Sequence, residues 1–459
     1  LWAAFLVYWK GVDKMLERSE DKRYAVKVAC LDSLVPEGHL LRKIEKAIDF
    51  EAIYPMVEHL YSEDNGRPAA DPVVLVKMAL LQHLYGIRSL RRTRDEVEMN
   101  IAYRWFIGYD IDTPVPHFAT ISYAFANRFP SEVFEEIFTW ILDEAVDKGL
   151  VKPQVIFVDA THVKANANKK KRRKELAAKT ARIYDEQLRA EIDADRIAHG
   201  KKPLKDREDD DDTGGGSVVT VSTSDPESGL FRKGEHKTEF AYTAHVACDD
   251  NNFVLACEVT PGNVHDSKVF DAVYEDVTER FSEVETVTVD AGYKTPWICK
   301  KVADDGRNIS TPYKRPMSGK DFFKSYDYVY DEYYDCVVCP ANQVLKYATT
   351  NRDGYREYKS DSSICKDCPK LAVCTHSKNH QKVVQKHIWD NYIELAEDFR
   401  HSPEGHATYT RRGQTIERVF ADAKEKHGMR YTLLKGLTRV TNWLRLKFAA
   451  MNLKKMAMW

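Results

Sequence analysis

The chain has 459 residues, a length that asks for two or three domains and allows a sizeable buried core. Charged residues make up 31% and aromatics 11%, which excludes a disordered chain; no run of about 18 apolar residues exists, so no helical membrane span is expected. The net charge of −2 says nothing about nucleic acid, but the distribution of charge does.

Residues 409–459 hold twelve Lys/Arg against three Asp/Glu, a net of +9, and residues 169–174 read Lys-Lys-Lys-Arg-Arg-Lys. The acidic run Glu208–Asp212 hides them in the average. Such basic surfaces are the footprint of a phosphate-backbone partner, with a merely solvated face as the plainer alternative for 169–174. The first nine residues, Leu1 to Trp9, are apolar but short. They lack a preceding basic region and a small-residue cleavage site, so they do not read as a signal peptide. Met15 opens a more ordinary polar segment, and residues 1–14 read as an upstream extension of the reading frame.

Residues 35–150 predict helices. Pro72 opens one behind the cap Asp71, with Val73, Val74, Lys77, Leu80, Leu81 and Leu84 at helical spacing up to Gly86. A second amphipathic segment runs from Ser89 to Asp110, and a third helix is expected with Thr120 as cap and Ile121, Ala124, Phe125 and Phe129 on one face. Short helices with basic faces suit a helix-turn-helix-like DNA reader or an ordinary helical bundle.

Residues 155–158, Val-Ile-Phe-Val, form a β-branched apolar run that reads as a buried strand, and the run meets Asp159. A carboxylate there is costly unless a cation meets it, and a metal ion is the simplest candidate. A long charged helix is expected over about 169–199, then a linker over 200–216. Phe240–Cys248 and Phe253–Thr260 predict a hairpin turning at Asp249–Asn252, followed by a helix over about 267–280 with Asp266 as its cap. The pattern of strand and Asp then repeats as Val284–Val289 and Asp290, followed by a helix near 295–304 and a strand over Asn308–Pro312. This order is that of a mixed α/β sheet and resembles an RNase H-like core.

Two strand-borne aspartates invite a third acid, and Glu417 lies on a basic helix near the C-terminus. Ile416, Val419, Phe420 and Ala423 form its apolar face, and Lys424 sits seven residues on from Glu417, two turns along the same face. Carboxylates converging on two Mg²⁺ ions about 3.5–4 Å apart are what metal-assisted phosphoryl transfer requires. Turn-forming aspartates and a surface ion pair are the plainer readings of each acid taken singly. The recurrence of Val-Asp-Ala at 158–160 and 289–291 favours the joint reading.

With these motifs in hand, the chain resembles a DDE transposase of a bacterial insertion sequence. Residues 158–168 are similar to that family's first-Asp motif and 287–294 to its second, which implies Asp159 and Asp290 as acids. The third motif implies Glu417 as the last acid and Lys424 beside it. Tyr409 and Arg412 fill the preceding positions, although four residues rather than three separate Arg412 from Glu417. The resemblance covers about residues 35–459. It implies Mg²⁺ or Mn²⁺ on the three acids, DNA held by Tyr409, Arg412 and Lys424, and His162 either near the site or simply on the surface. It further implies cleavage at element ends with strand transfer into target DNA, by a cytoplasmic homodimer or higher oligomer away from any membrane. A metal-dependent nuclease of the same fold and an inactive DNA-binding regulator are the alternatives.

Nine cysteines are an odd number, and five crowd into residues 336–374. Cys336-x2-Cys339 and Cys365-x2-Cys368 have the spacing of a zinc ribbon in a reducing compartment. Cys374 could replace one ligand, and His376 and His380 are near in sequence. The expected architecture is therefore an N-terminal extension (1–34), a helical domain (35–150), an RNase H-like core (151–315, with a charged insertion at 169–216), a zinc-ribbon-like insertion (316–400) and a second part of the core (401–459).

Overall fold

The computed structural model describes residues 21–459 except 22, 27, 63–68, 169–170, 177–184, 206–217, 234–236, 315–318 and 320. The reading of residues 1–14 and most of the 200–216 linker lie outside the described residues.

The helix Pro72–Leu84 begins where the cap predicts, with the Asp71 carboxylate accepting from Val73 N at 2.8 Å. Every residue after Pro72 is buried, so this helix lies inside the bundle and does not ride on it. Its one ammonium, Lys77, pairs with Glu45 at 2.8 Å and lies over the rings of Phe50 and Phe106. The second amphipathic segment breaks into Leu90–Met99 and Ile101–Phe106, because Asn100 accepts from Ala102 N and Tyr103 N and starts a new helix. The third helix starts at Phe118 with His117 as cap; Thr120, expected there, lies inside it.

The main sheet is built on β1, Val155–Lys164. Five more strands join it: β4 (Gly229–Lys233), β5 (Lys237–Cys248), β6 (Val254–Pro261), β7 (Thr286–Val289) and β8 (Asn308–Ser310). The order is β4-β5-β1-β7-β8, with β6 on β5. β5 lies antiparallel to β1 and β6, while β7 and β8 run parallel to β1. The parallel strands are reached through the crossover helices Phe270–Arg280 and Pro296–Asp304. Ile156, Phe157 and Val158 are fully buried, because helices cover the sheet.

The charged segment after β1 is not one long helix. Its basic run enters a two-stranded ribbon of β2 (Arg172–Leu176) and β3 (Val218–Ser222), and the helix is only Asp185–Ala198. That helix clamps a second sheet. Asp195 pairs with Arg356 at 2.5 Å, and the Arg196 guanidinium donates to the Thr350 carbonyl at 2.8 Å.

The second sheet is an antiparallel meander of β9 (Val329–Asp331), β10 (Cys336–Val338), β11 (Val344–Thr350), β12 (Tyr355–Lys359) and β13 (Val383–His387), with each strand beside the next. The cysteine region is thus a five-stranded sheet, where the spacing predicted a zinc ribbon. The helix Asp390–His401, which falls almost wholly within the expected 316–400 insertion, packs on β8 and on Pro296–Asp304. The C-terminal helix Leu437–Met458 is a buried spine and not a free basic surface: it packs on Ser131–Asp147, Leu40–Ala47, Pro72–Leu84 and β6. It even buries Lys447, whose Nζ stands 3.2 Å from His83 Nδ1 and lies over the Trp443 ring.

Candidate active site

The parallel ladder between β1 and β7 pairs Val155 with Thr286 and ends at Val158 with Val289. The next residue on each strand is an aspartate, Asp159 and Asp290. Parallel neighbours lie about 4.8 Å apart, so the register alone sets the two carboxylates side by side. β1 does not stop at Asp159, as the apolar run suggested, but continues with β5 to Lys164. The repeated Val-Asp-Ala acquires a physical meaning: Asp159 Oδ1 accepts from Ala160 N at 2.8 Å, and Asp290 Oδ1 accepts from Ala291 N at 2.7 Å.

Arg412 meets both acids. Its guanidinium lies 2.6 Å from Asp159 Oδ2 and 3.6 Å from Asp290 Oδ1, and it is buried. Burial pushes the Asp159 carboxyl up to about 6, against the pull of the Arg412 charge and the Ala160 N–H. The expected role of Arg412 on DNA phosphate is therefore not what the resting structure displays. Tyr409 Oη accepts from Arg412 Nη1 at 3.4 Å, and its ring lies 5.7 Å from the guanidinium, which places both residues at the acids.

The turn Arg411–Gln414 is anchored twice, because Arg411 pairs with Asp250 in the β5–β6 hairpin while Arg412 pairs across the sheet. The helix Ile416–Glu425 follows and packs on β1 through Ile416, Val419, Phe420 and Ala423. Lys424 Nζ donates to Thr161 Oγ1, two residues beyond Asp159 and so on the same face of β1. Glu417 is exposed, with its Oε2 4.0 Å from where a Cβ on Gly413 would stand, over the turn that carries Arg412. Among the described residues, no three His, Cys, Asp or Glu side chains are grouped closely enough to hold a metal ion. Glu417 thus stands beside the turn that carries Arg412.

Two further groups, Asp266 and Tyr293, lie within electrostatic reach of the aspartates. His265, not Asp266, caps the turn after β6, accepting from Ser267 N. Asp266 faces inward instead, 3.8 Å from the buried His245 Nδ1. Burial raises its carboxyl, with Asp290 adding to the rise. Burial holds His245 neutral down to about 4. Tyr293, also buried, has its phenol pushed up by burial and by the carboxylates of Asp266, Asp159 and Asp290. The pairing of His245 with Ala160 across β1 and β5 could not be read from single segments. His162 points to the other face of β1 from Asp159 and stacks on Phe231, with ring centroids 3.5 Å apart.

Residues 29–127 match the family described as Transposase domain (DUF772), and residues 338–457 match the family described as Transposase DDE domain. Two separate stretches of the chain are thus similar to transposase families, the second of the DDE kind. No curated protein matches it. The second match holds Tyr409, Arg412, Glu417 and Lys424, whereas Asp159 and Asp290 lie outside both matches. Sheet register and Arg412 are what tie those two acids to the matched segment.

Of the nine cysteines, Cys339, Cys365, Cys368 and Cys374 line one small cavity. Cys336 does not: it sits in β10 opposite Asp331 and Lys346. Among the described residues no helix is long and apolar enough to cross a membrane.

Proposed function

We propose that the chain cuts DNA at the ends of an insertion sequence and joins the freed ends to target DNA, on an RNase H-like core whose Asp159, Asp290 and Glu417 hold two Mg²⁺ or Mn²⁺ ions. The observation that carries this reading is the pair Asp159 and Asp290, set side by side where the β1–β7 ladder ends and already meeting a cation, the Arg412 guanidinium. An oxygen-only donor set around a partly buried carboxylate fits a hard divalent ion. When bound, the ions supply activation of the attacking oxygen and stabilisation of the leaving one.

The chain's own residues do the rest. Asp159 keeps Oδ1 on the Ala160 N–H and turns Oδ2 to the site. Arg412, displaced from the carboxylates, reaches a DNA phosphate with Tyr409 beside it. Lys424, seated on Thr161, takes a second phosphate contact. Water oxygen bonds to phosphorus as the bond to the 3′-oxygen breaks, leaving a 3′-OH; that hydroxyl then attacks a target phosphorus in the same manner. We place this chemistry in a cytoplasmic oligomer on paired DNA ends. A structural Zn²⁺ in the cysteine sheet belongs to the same reading as a brace, not as a participant in the chemistry.

Incubating the chain with Mn²⁺ and DNA bearing the element's own ends tests this. Nicked ends and joined products are expected. Nicks without joined products would favour the nuclease, and binding without either would favour the regulator.

A further inference from the structure

We propose that Cys339, Cys365, Cys368 and Cys374, and not Cys336, form a closed structural site for one Zn²⁺ ion. The four belong to separate pieces of chain. Cys339 ends the β10 arm in a tight turn, Cys365 and Cys368 flank the end of the short helix Ser362–Lys366, and Cys374 closes the helical turn Leu371–Cys374. The fold brings all four to one small cavity.

The surroundings offer the sulfurs hydrogen-bond donors and nearby positive charge. Cys339 Sγ accepts two backbone N–H groups, from Ala341 and Gln343, each at 3.4 Å. The turn achieves this by putting Asn342 in the left-handed region at φ 55°. Cys374 Sγ lies 3.3 Å from Tyr328 Oη. Two ammonium groups border the cavity: Lys370 Nζ donates to the Pro340 carbonyl at 2.6 Å, and Lys382 Nζ to the Cys374 carbonyl at 3.2 Å. A zinc ion with four thiolates carries two negative charges, which these lysines offset.

Cys336 is excluded by its place: it sits in β10 opposite Asp331 and Lys346 and does not line the cavity. The sheet also needs a staple. Its apolar cluster has only four buried members, Tyr328, Val337, Leu345 and Tyr358. So small a core stabilises a module poorly without a metal or cross-link. No pair of these cysteines is joined as a disulfide. The sulfurs ring the cavity without yet standing at coordinating distance, so zinc would draw the two short helices inward.

This inference is independent of the acids, because its readout is metal content and not cleavage. The full chain, purified without chelator, is expected to hold about one zinc per chain by elemental analysis. Cys336→Ser should keep it, while Cys365→Ser and Cys374→Ser should lose it. Should the latter variants fail to fold, the wild-type chain still decides: titration with an organomercurial should release the zinc as four thiols react, and Co²⁺ exchange should give the absorption of a tetrahedral four-sulfur site. Zinc kept in Cys374→Ser but lost in Cys336→Ser, iron in place of zinc, or a metal-free chain with all its thiols titratable would each overturn the proposal.

Discussion

The acid site and the cysteine cavity are both places where ligand-like side chains converge, but they are assembled in opposite ways. Asp159, Asp290 and Arg412 come from far apart in the chain, and a continuous sheet register sets them together. The four cysteines come from 36 consecutive residues, and turns set them together. A site fixed by register tolerates the loss of one ligand without losing its fold, because the strands persist. A site fixed by turns around four buried apolar residues does not. The contrast predicts that acid substitutions will remove chemistry and spare the fold, while cysteine substitutions will remove the local fold and touch chemistry only indirectly.

The sharpest way to break the comparison is at the acids. Asp159→Asn, Asp290→Asn and Glu417→Gln should each lower the rate of end cleavage by about three orders of magnitude or more, since each removes several kcal/mol of transition-state stabilisation. The thermal midpoints of Asp290→Asn and Glu417→Gln should stay near that of the wild type, while Asp159→Asn, which leaves the buried Arg412 without its nearest counter-ion, should lower it. A large fall in midpoint for Asp290→Asn, measured by calorimetry, would mean that the site is structural.

Arg412→Ala sharpens the same comparison, because it leaves the half-buried Asp159 without its cation. A loss of up to about 3 kcal/mol is expected from denaturant unfolding without divalent ions. Added Mg²⁺ should then raise the midpoint of the variant more than that of the wild type, since the ion takes the place of the guanidinium. An equal Mg²⁺ response in both proteins would contradict a shared cation position.

A third test concerns the buried C-terminal helix. Burial pushes the Lys447 ammonium down from its ordinary value near 10.5 to about 7. Between those values the unfolded chain binds more protons than the folded one, so stability rises with pH across that window, and the penalty is fully present below about pH 7. Lys447→Met should flatten that slope and match or exceed the wild-type stability at pH 7. A slope unchanged in the variant would show that Lys447 is not its source.

The smallest effect is expected at Lys424. Lys424→Ala should weaken DNA binding uniformly across sequences and lower the salt dependence by about one phosphate contact. A change in sequence preference in a binding titration would point to base contact instead.

Much of this was legible in the sequence, for reasons that differ by element. The apolar β-branched run before Asp159 and the Pro72 start signal are local, and local signals survive folding. The hairpin from Phe240 to Thr260 was legible through its alternation and its turn residues. The basic run at 169–174 was misread as helix because its pairing partner, Val218–Ser222, lies far along the chain. The C-terminal segment read as a basic surface because composition does not reveal that a helix is packed on four neighbours. At the site, the acids and Arg412 were visible as motifs, but the ion pair between Arg412 and both aspartates is a consequence of tertiary placement. The cap expected at Asp266 falls to His265 for a similar reason: either could cap the turn, and Asp266 lies instead beside the buried His245. Among the cysteines, spacing alone counts every sulfur equally, whereas in the fold Cys336 stands apart from the cavity that the other four line.

The central claim is that Asp159, Asp290 and Glu417 form one metal-dependent cutting site. Its most direct test is Mn²⁺-dependent cleavage of DNA carrying the element's own ends, comparing wild type with Asp290→Ala while measuring DNA binding in parallel. The account predicts cleavage by the wild type, none by the variant, and equal binding by both. Equal cleavage by the two proteins would contradict it.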